Sequence, residues 1–348
     1  MPQLSNTPRA AVIMPAYNAA ATIEKTARSI LAQTMGDLRL IVVNDGSKDE
    51  TAAILARLAK EDPRLVPLTV ENGGPARARN IGLDAVPAGT EFILFSDADD
   101  LLAPDALAYA IEHAQGADLT LLGFSILNPD GSRADYCEPE MQLDAGTIGA
   151  HLGRLYKANL LNQVWAKLFR AALILDHGVR FQDYRWGEDR LFIYDCLAHA
   201  SRVAVLPGCK YTYIMYPGES LITKYYDKKP EVCVKSAEGM DALCRRFSVE
   251  DGRDFRYMFM KSIFSCLTTL FAKNCPLTHR EKRAEVRRII TDEAVLSRSR
   301  DVFGGFAVKA LCAVVRSGNV TLNMLVFRLV SLAGAVAPRL FTKLKHRK

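Results

Sequence analysis

The sequence predicts an α/β protein whose sheet contains several parallel strands, and three observations carry that expectation. Residues 10–127 alternate short β-rich runs with helix-like segments. Three polar clusters, Tyr17-Asn18, Asn44-Asp45-Gly46-Ser47 and Asp97-Ala98-Asp99, each follow an apolar run. In such sheets ligands bind outside the carboxyl ends of the strands. The chain of 348 residues is 49% hydrophobic, enough for a sizeable core in one large or two moderate domains.

The first strand is expected at 11–15. Arg9 followed by Ala10-Ala11-Val12-Ile13-Met14 imitates a secretory signal, but Pro15, Tyr17 and Asn18 end the apolar run too early. Ile23, Ala27, Ile30 and Leu31 then share one helical face, and 38–43 is the second strand. A second helix at 50–60 carries Ile54, Leu55 and Leu58 at helical spacing, with a strand at 65–70 behind it. Asn72-Gly73-Gly74-Pro75 is a turn that sets Pro at the start of a helix over 76–85. A strand at 92–96, a helix beginning at Pro104 and a strand at 119–124 complete this half. From about 130 to 225 the pattern is less regular and rich in aromatic and charged residues; 230–300 reads as helices with a polar connection over 274–280.

The formal charge of +6 is unevenly placed. From Val302 onward there are eight Lys/Arg and no Asp/Glu, so the body is slightly acidic and the basic character belongs to the tail. That argues against a nucleic-acid groove through the main domain. Eight cysteines without a Cys-x-x-Cys pair read as reduced thiols of a cytoplasmic protein. The six histidines contain no His-x-x-x-His pair and read as structural or surface residues.

The apolar run Phe92-Ile93-Leu94-Phe95 ends in three carboxylates within four positions, Asp97, Asp99 and Asp100. Their mutual repulsion calls for a cation, a shared proton or open access to water. In an extended chain Asp97 and Asp99 point to the same side, so both can face one divalent metal that takes phosphate oxygens as its other partners. A solvated loop is the competing reading. A calcium loop is excluded because Leu101 and Leu102 stand where an oxygen ligand and Gly are needed. An aspartyl phosphatase, which would place its Asp-x-Asp near a first strand and not after four βα elements, stays as a minor alternative.

Ile13-Met14-Pro15-Ala16-Tyr17-Asn18, Val42-Val43-Asn44-Asp45-Gly46-Ser47, Asn72-Gly73-Gly74-Pro75-Ala76-Arg77-Ala78-Arg79-Asn80 and Ser96-Asp97-Ala98-Asp99-Asp100 together resemble the family 2 glycosyltransferases of bacteria in residues, order and spacing. The resemblance implies a GT-A nucleotide-sugar-binding fold, expected over 8–225; behind it the residue pattern predicts a helical extension over 226–302 and a basic amphipathic segment over 303–348. It also implies a divalent metal, Mn²⁺ or Mg²⁺, and inversion at the anomeric carbon. On that basis Pro15, Tyr17 and Asn18 border the nucleotide, Asp45 hydrogen-bonds the base, and Asp97 and Ala98 serve the donor. Asp99, assisted by Asp97, holds the metal, while Asp100 begins the next helix. Arg79 either approaches the pyrophosphate or lies on a helix surface. An acceptor at Asp45 suits a uracil N3–H, although guanine offers donors too.

Gly187-Glu188-Asp189-Arg190-Leu191-Phe192 is similar to the family's acidic motif, which makes Asp189 the catalytic base and places Glu188 beside the acceptor. An acidic pair at a helix N-terminus is the alternative. Trp165-Ala166-Lys167-Leu168-Phe169 resembles a segment near the acceptor pocket, with Trp165 stacking on a sugar face or buried in the core, and Lys167 close by. Gln182-Asp183-Tyr184-Arg185-Trp186 fits the Gln-x-x-Arg-Trp pattern of processive synthases, but it precedes Asp189 where those enzymes place it after the base.

The longest uncharged run of the tail, Leu329 to Pro338 between Arg328 and Arg339, is half the ~20 residues a membrane span needs. Two expectations stand for the tail: a helix lying in an anionic membrane surface, or a helical subdomain with a solvated basic end. The resulting expectation is transfer of a sugar, from a UDP-sugar first of all, to a glycan or lipid-linked glycan in cell-surface polysaccharide synthesis. The enzyme would sit in the cytoplasm, peripheral to the inner face of the membrane, with no nucleic-acid partner. A nucleotidyltransferase and a non-catalytic nucleotide-sugar-binding protein are the alternatives.

Overall fold

The computed structural model describes residues 7–216 and 225–336. The chain divides into two compact units, one formed by residues up to 217 with 245–248, the other by 218–244 and the chain from 249 onward.

The first unit is built on a mixed sheet. Its first half is a βα alternation: β1 (Ala10–Ala16), α1 (Ile23–Leu31), β2 (Leu38–Asp45), α2 (Thr51–Glu61), β3 (Leu65–Val70), α3 (Pro75–Asp84) and β4 (Phe92–Phe95). Then come β5 (Leu101–Leu102), α4 (Ala106–His113), β6 (Leu119–Leu127), β7 (Arg133–Tyr136), β8 (Met141–Asp144) and α5 (Ile148–Lys157). The unit continues through β9 (Lys167–Arg170), α6 (Ala171–Leu175), α7 (Glu188–His199) and β10 (Arg202–Ile214). The strand order is β3-β2-β1-β4-β9-β6-β10-β5, with β7 added to β6 and β8 to β10.

Burial follows from this order. β1 and β2 are central, parallel and almost wholly buried, because helices cover both faces of such a sheet. Among the described residues β3 pairs with β2 alone; after the buried Leu65 it alternates half-buried and exposed positions, with Pro67 among the exposed ones. An edge strand tolerates a residue without an N–H; a central one does not. α3 packs so closely on β1 that a Cβ built on Gly82 would lie 2.4 Å from Ile13 Cγ2.

β1 runs parallel to both neighbours, with Ala16 level with Asn44 of β2 and Ile13 level with Phe95 of β4. The carboxyl ends of three adjacent strands therefore deliver Tyr17-Asn18, Asn44-Asp45 and Ser96-Asp97 to one sheet edge. β9 then pairs antiparallel with β4 and β6, and β10 pairs parallel with β6 across shifts of register between Leu206 and Tyr211.

The described part of the second unit is helical. It contains α8 (Lys229–Arg246), whose last two residues belong to the first unit, α9 (Arg253–Thr269), α10 (His279–Thr291), α11 (Glu293–Arg298), α12 (Phe306–Arg316) and α13 (Val320–Val336). Phe327 of α13 packs against Phe264 of α9 with ring centroids 5.9 Å apart. No described helix is long and apolar enough to cross a membrane. The tail cations Arg339, Lys343, Lys345, Arg347 and Lys348 lie outside the described residues.

Candidate active site

Asp45, at the end of β2, organises the turn that follows β3. Its Oδ1 accepts the Gly73 N–H at 2.8 Å, and its Oδ2 accepts the Gly74 N–H at 2.8 Å and Asn72 Nδ2 at 3.2 Å. Gly74 has φ +89° immediately before Pro75, the first residue of α3, so turn and helix start are fixed together. Gly46 sits at φ +70°, and a Cβ there would lie 2.8 Å from the Asn72 amide nitrogen; only glycine admits this approach. Asn44 uses its Oδ1 to accept the Ser47 N–H at 3.1 Å.

The β1 end is tied to the same loop. Asn18, left-handed at φ 49°, donates its N–H to Ser47 Oγ at 2.9 Å and accepts the Lys48 N–H at 2.8 Å. Tyr17 beside it is 53% exposed, an aromatic face open to solvent at the sheet edge, and Pro15 is half-buried.

At the centre lies Arg79, carried on α3 and buried. Its Nη2 donates to Asp97 Oδ1 at 2.9 Å, and its Nη1 donates to Asp189 Oδ1 at 2.9 Å and to Glu188 Oε1 at 3.2 Å. Its guanidinium carbon stands 5.4 Å from the Phe181 ring centroid. Burial works against this charge, but Asp189, Asp97 and Glu188 outweigh it and hold the guanidinium more firmly protonated than in water. A helix-surface position for Arg79 is thereby removed. The Phe181 ring stacks on Phe192 at 3.9 Å, and both meet Phe95 edge to face, so an apolar base supports the charged cluster.

Asp189 and Glu188 open α7, behind Gly187 at φ 79°. Asp189 Oδ2 also accepts the Val164 N–H at 3.2 Å. Burial raises the Asp189 carboxyl above its usual range; Arg79 opposes that and the Asp97 charge adds to it. Glu188 is pushed up to about 7, by burial and then by Asp189. Lys167 is buried, donates from Nζ to the Trp165 carbonyl at 3.3 Å, and is pushed down to about 7 by burial against the pull of Asp189. Trp165 is buried too, stacked on Tyr211 at 4.7 Å and on Tyr213 at 5.5 Å.

Asp100 departs from the expectation that it begins a helix. It is fully buried, accepts the Tyr211 hydroxyl at 2.6 Å and the Ile214 N–H at 3.0 Å, and α4 starts only at Ala106. Burial, followed by the charge of Asp97, pushes it up to about 8. Tyr211 in turn accepts the Asp97 N–H at 3.2 Å, so one phenol ties two members of the acidic cluster to β10. The Ala98 carbonyl accepts the Thr26 hydroxyl at 3.1 Å, which ties the middle of the cluster to α1. Sequence reasoning did not single out Tyr211 or Phe181; the alternating Tyr211-Thr212-Tyr213 was the signal available for the first.

The cluster is rich in carboxylates and poor in cations. Asp99 is pushed up to about 6 by burial and by the charge of Asp97, as a carboxylate lacking a nearby positive charge should be. Hard oxygen donors in that state fit Mg²⁺ or Mn²⁺. Among the described residues no three His, Cys, Asp or Glu side chains gather as a closed metal cage.

The chain is similar to known proteins in sequence and in fold. Residues 11–162 match the sequence model of glycosyl transferase family 2. An uncharacterized glycosyltransferase of Bacillus subtilis, EpsJ, is 30% identical over 211 residues, covering 59% of this chain and 61% of that protein. The succinoglycan biosynthesis protein ExoO of Rhizobium meliloti is 31% identical over 224 residues, covering 62% of this chain and 64% of that one. The chain thus spans less than two thirds of the length of either relative. The crystal structure of S. aureus TarS 1–349 in complex with UDP-GlcNAc superposes with a TM-score of 0.63 at 20% identity, over 94% of this chain and 92% of that one. The fold is of the GT-A type, and residues 11–162 are similar to glycosyl transferase family 2.

Proposed function

We propose that the protein transfers a single sugar from a nucleoside-diphosphate donor to a hydroxyl of a glycan or lipid-linked glycan, with inversion, in polysaccharide assembly at the inner face of the cell membrane. The observation that carries this reading is the placement of Asp189. Its carboxylate is oriented by Arg79 and the Val164 N–H, and Arg79 links it to Asp97 on the donor side. Asp189 takes the proton of the acceptor hydroxyl, that oxygen forms the new bond to the anomeric carbon, and the bond from that carbon to the diphosphate breaks.

Tyr17, Asn18 and the Asp45 turn hold the nucleoside in this reading, with Asp97 and Ala98 serving the donor sugar. A Mn²⁺ or Mg²⁺ held by Asp99 and Asp97 supplies, when bound, positive charge to the departing diphosphate. Glu188 lies on the acceptor side, and Trp165 and Lys167 shape that wall from within the core. The donor to test first is UDP-N-acetylglucosamine, the ligand named in the TarS complex.

Asp189→Asn keeps the shape of the side chain and removes its basicity. Transfer is expected to fall roughly 10²- to 10⁴-fold while donor affinity stays within a few-fold. Full activity in this variant, measured as release of nucleoside diphosphate in the presence of acceptor, would overturn the assignment.

A further inference from the structure

The described part of the second unit holds a cleft of about 500 Å³ whose lining is divided by chemistry. Lys282 and Arg283 from α10 and Arg328 from α13 supply cations, joined by His279; Phe271, Met324, Leu325 and Leu332 supply apolar surface. Among the described residues, no Asp or Glu lines it. The acids of α10 are engaged elsewhere: Glu281 closes a capping box with Thr278, and Glu285 pairs with Arg288. Arg283 donates to the Thr321 hydroxyl at 3.1 Å, which sets its guanidinium at the cleft wall.

The surface beside the cleft is apolar in a defined pattern. Leu322, Leu325, Leu329 and Leu332 are spaced three, four and three residues apart on α13 and are 38%, 57%, 56% and 53% exposed. That spacing makes a single stripe. Met324 and Phe327, by contrast, are buried on the inner side of the same helix. Four exposed leucines in one stripe are uncommon on a helix that meets only water, and here they border three cations.

We propose that this face docks on the surface of an anionic phospholipid bilayer. Lys282, Arg283 and Arg328 take headgroup phosphates at the cleft, and the α13 leucines enter the boundary between headgroups and acyl chains. Charge complementarity selects this occupant. A soluble polyanion would satisfy the cations and leave the leucines in water. A second copy docked through the same face would cover the leucines but set cation against cation, since the described lining of the cleft brings Lys282, Arg283 and Arg328 and no Asp or Glu. The inference concerns the second unit alone, so its failure leaves the reading of the transfer site standing.

The test is co-sedimentation of the full chain with vesicles of phosphatidylcholine, with and without phosphatidylglycerol. Binding is expected only where phosphatidylglycerol is present. A Lys282→Ala/Arg283→Ala/Arg328→Ala variant is expected to partition on the order of a hundredfold more weakly, about fivefold per cation. Leu325→Ser/Leu329→Ser is expected to weaken binding at high salt as well as at low salt. Unchanged donor hydrolysis and far-ultraviolet circular dichroism establish that both variants fold. Equal partitioning on neutral and anionic vesicles, parental binding by the triple variant, or no sedimentation at all would overturn the proposal. So would a dimer, seen by sedimentation velocity, that the leucine variant dissolves while neither protein binds vesicles.

Discussion

Arg79 is the cation on which the acidic cluster converges, and it was the site residue whose surroundings the sequence disclosed least. Its motif was visible, but a lone Arg on a helix has no local signature of burial, and its partners lie 18, 109 and 110 positions away. Glu188 offers a measurable consequence. Its carboxyl stands at about 7 in the folded chain against 4.5 ordinarily. Between those values the folded protein keeps a proton that the unfolded chain has released. The contribution of this group to stability is therefore complete below the lower value and is lost as pH rises through the upper one. Glu188→Gln removes that slope. In thermal denaturation the difference in Tm, variant minus parent, should be more positive at about pH 8 than at about pH 5. The acid limb of the transfer rate should move to lower pH, because Asp189 no longer shares its proton equilibrium with a neighbouring carboxylate. A difference in Tm that does not vary with pH would sink this account.

Elements through Leu127 were legible, apart from the two-residue β5, which is too short to expose a period: buried runs marked the central strands, an apolar face marked α1 and α2, and glycine or proline stood at the joints. The half from 133 to 214 was less so, because β8, β9 and β10 are held by partners distant in sequence. β10 illustrates the cause. Pro207 and Gly208 interrupt its apolar run at the point where its register on β6 shifts, so the sequence looks broken where the strand is continuous. Asp100 was misread for the same reason, since its partners Tyr211 and Ile214 belong to that strand. Packing of α3 on β1 makes its own prediction. In an exposed helix Gly→Ala stabilises by about 1 kcal/mol. In Gly82→Ala the new methyl would lie 2.4 Å from Ile13 Cγ2, so the sign should reverse, with a net loss of about 1–3 kcal/mol in urea unfolding. Gain of stability would mean that α3 can lift from β1 at little cost.

At the scale of the molecule, the proposed transfer requires the sheet edge that carries Tyr17, Asp45 and Asp97, next to the α7 N-terminus, to bind a donor before any chemistry follows. A nucleotide sugar that binds only the folded chain should raise its melting temperature, by about 2.7 kcal/mol of added stability at a hundred times Kd. The shift should need Mn²⁺ or Mg²⁺ and vanish with a chelator, and comparing uridine with guanosine donors would identify the base. No shift with any nucleoside-diphosphate sugar would count against the donor site. The guanidinium of Arg79 has a separate consequence for how this chain can change over generations. It draws together α3, the segment after β4 and the start of α7, and each of its three carboxylate partners is neutralised largely by the same group. Losing the arginine strands three acids at once, and losing one acid alters the charge balance felt by the other two. Substitutions at 79, 97, 188 and 189 are therefore energetically coupled, and in descendants of this sequence the cost of changing any one depends on which of the other three are kept.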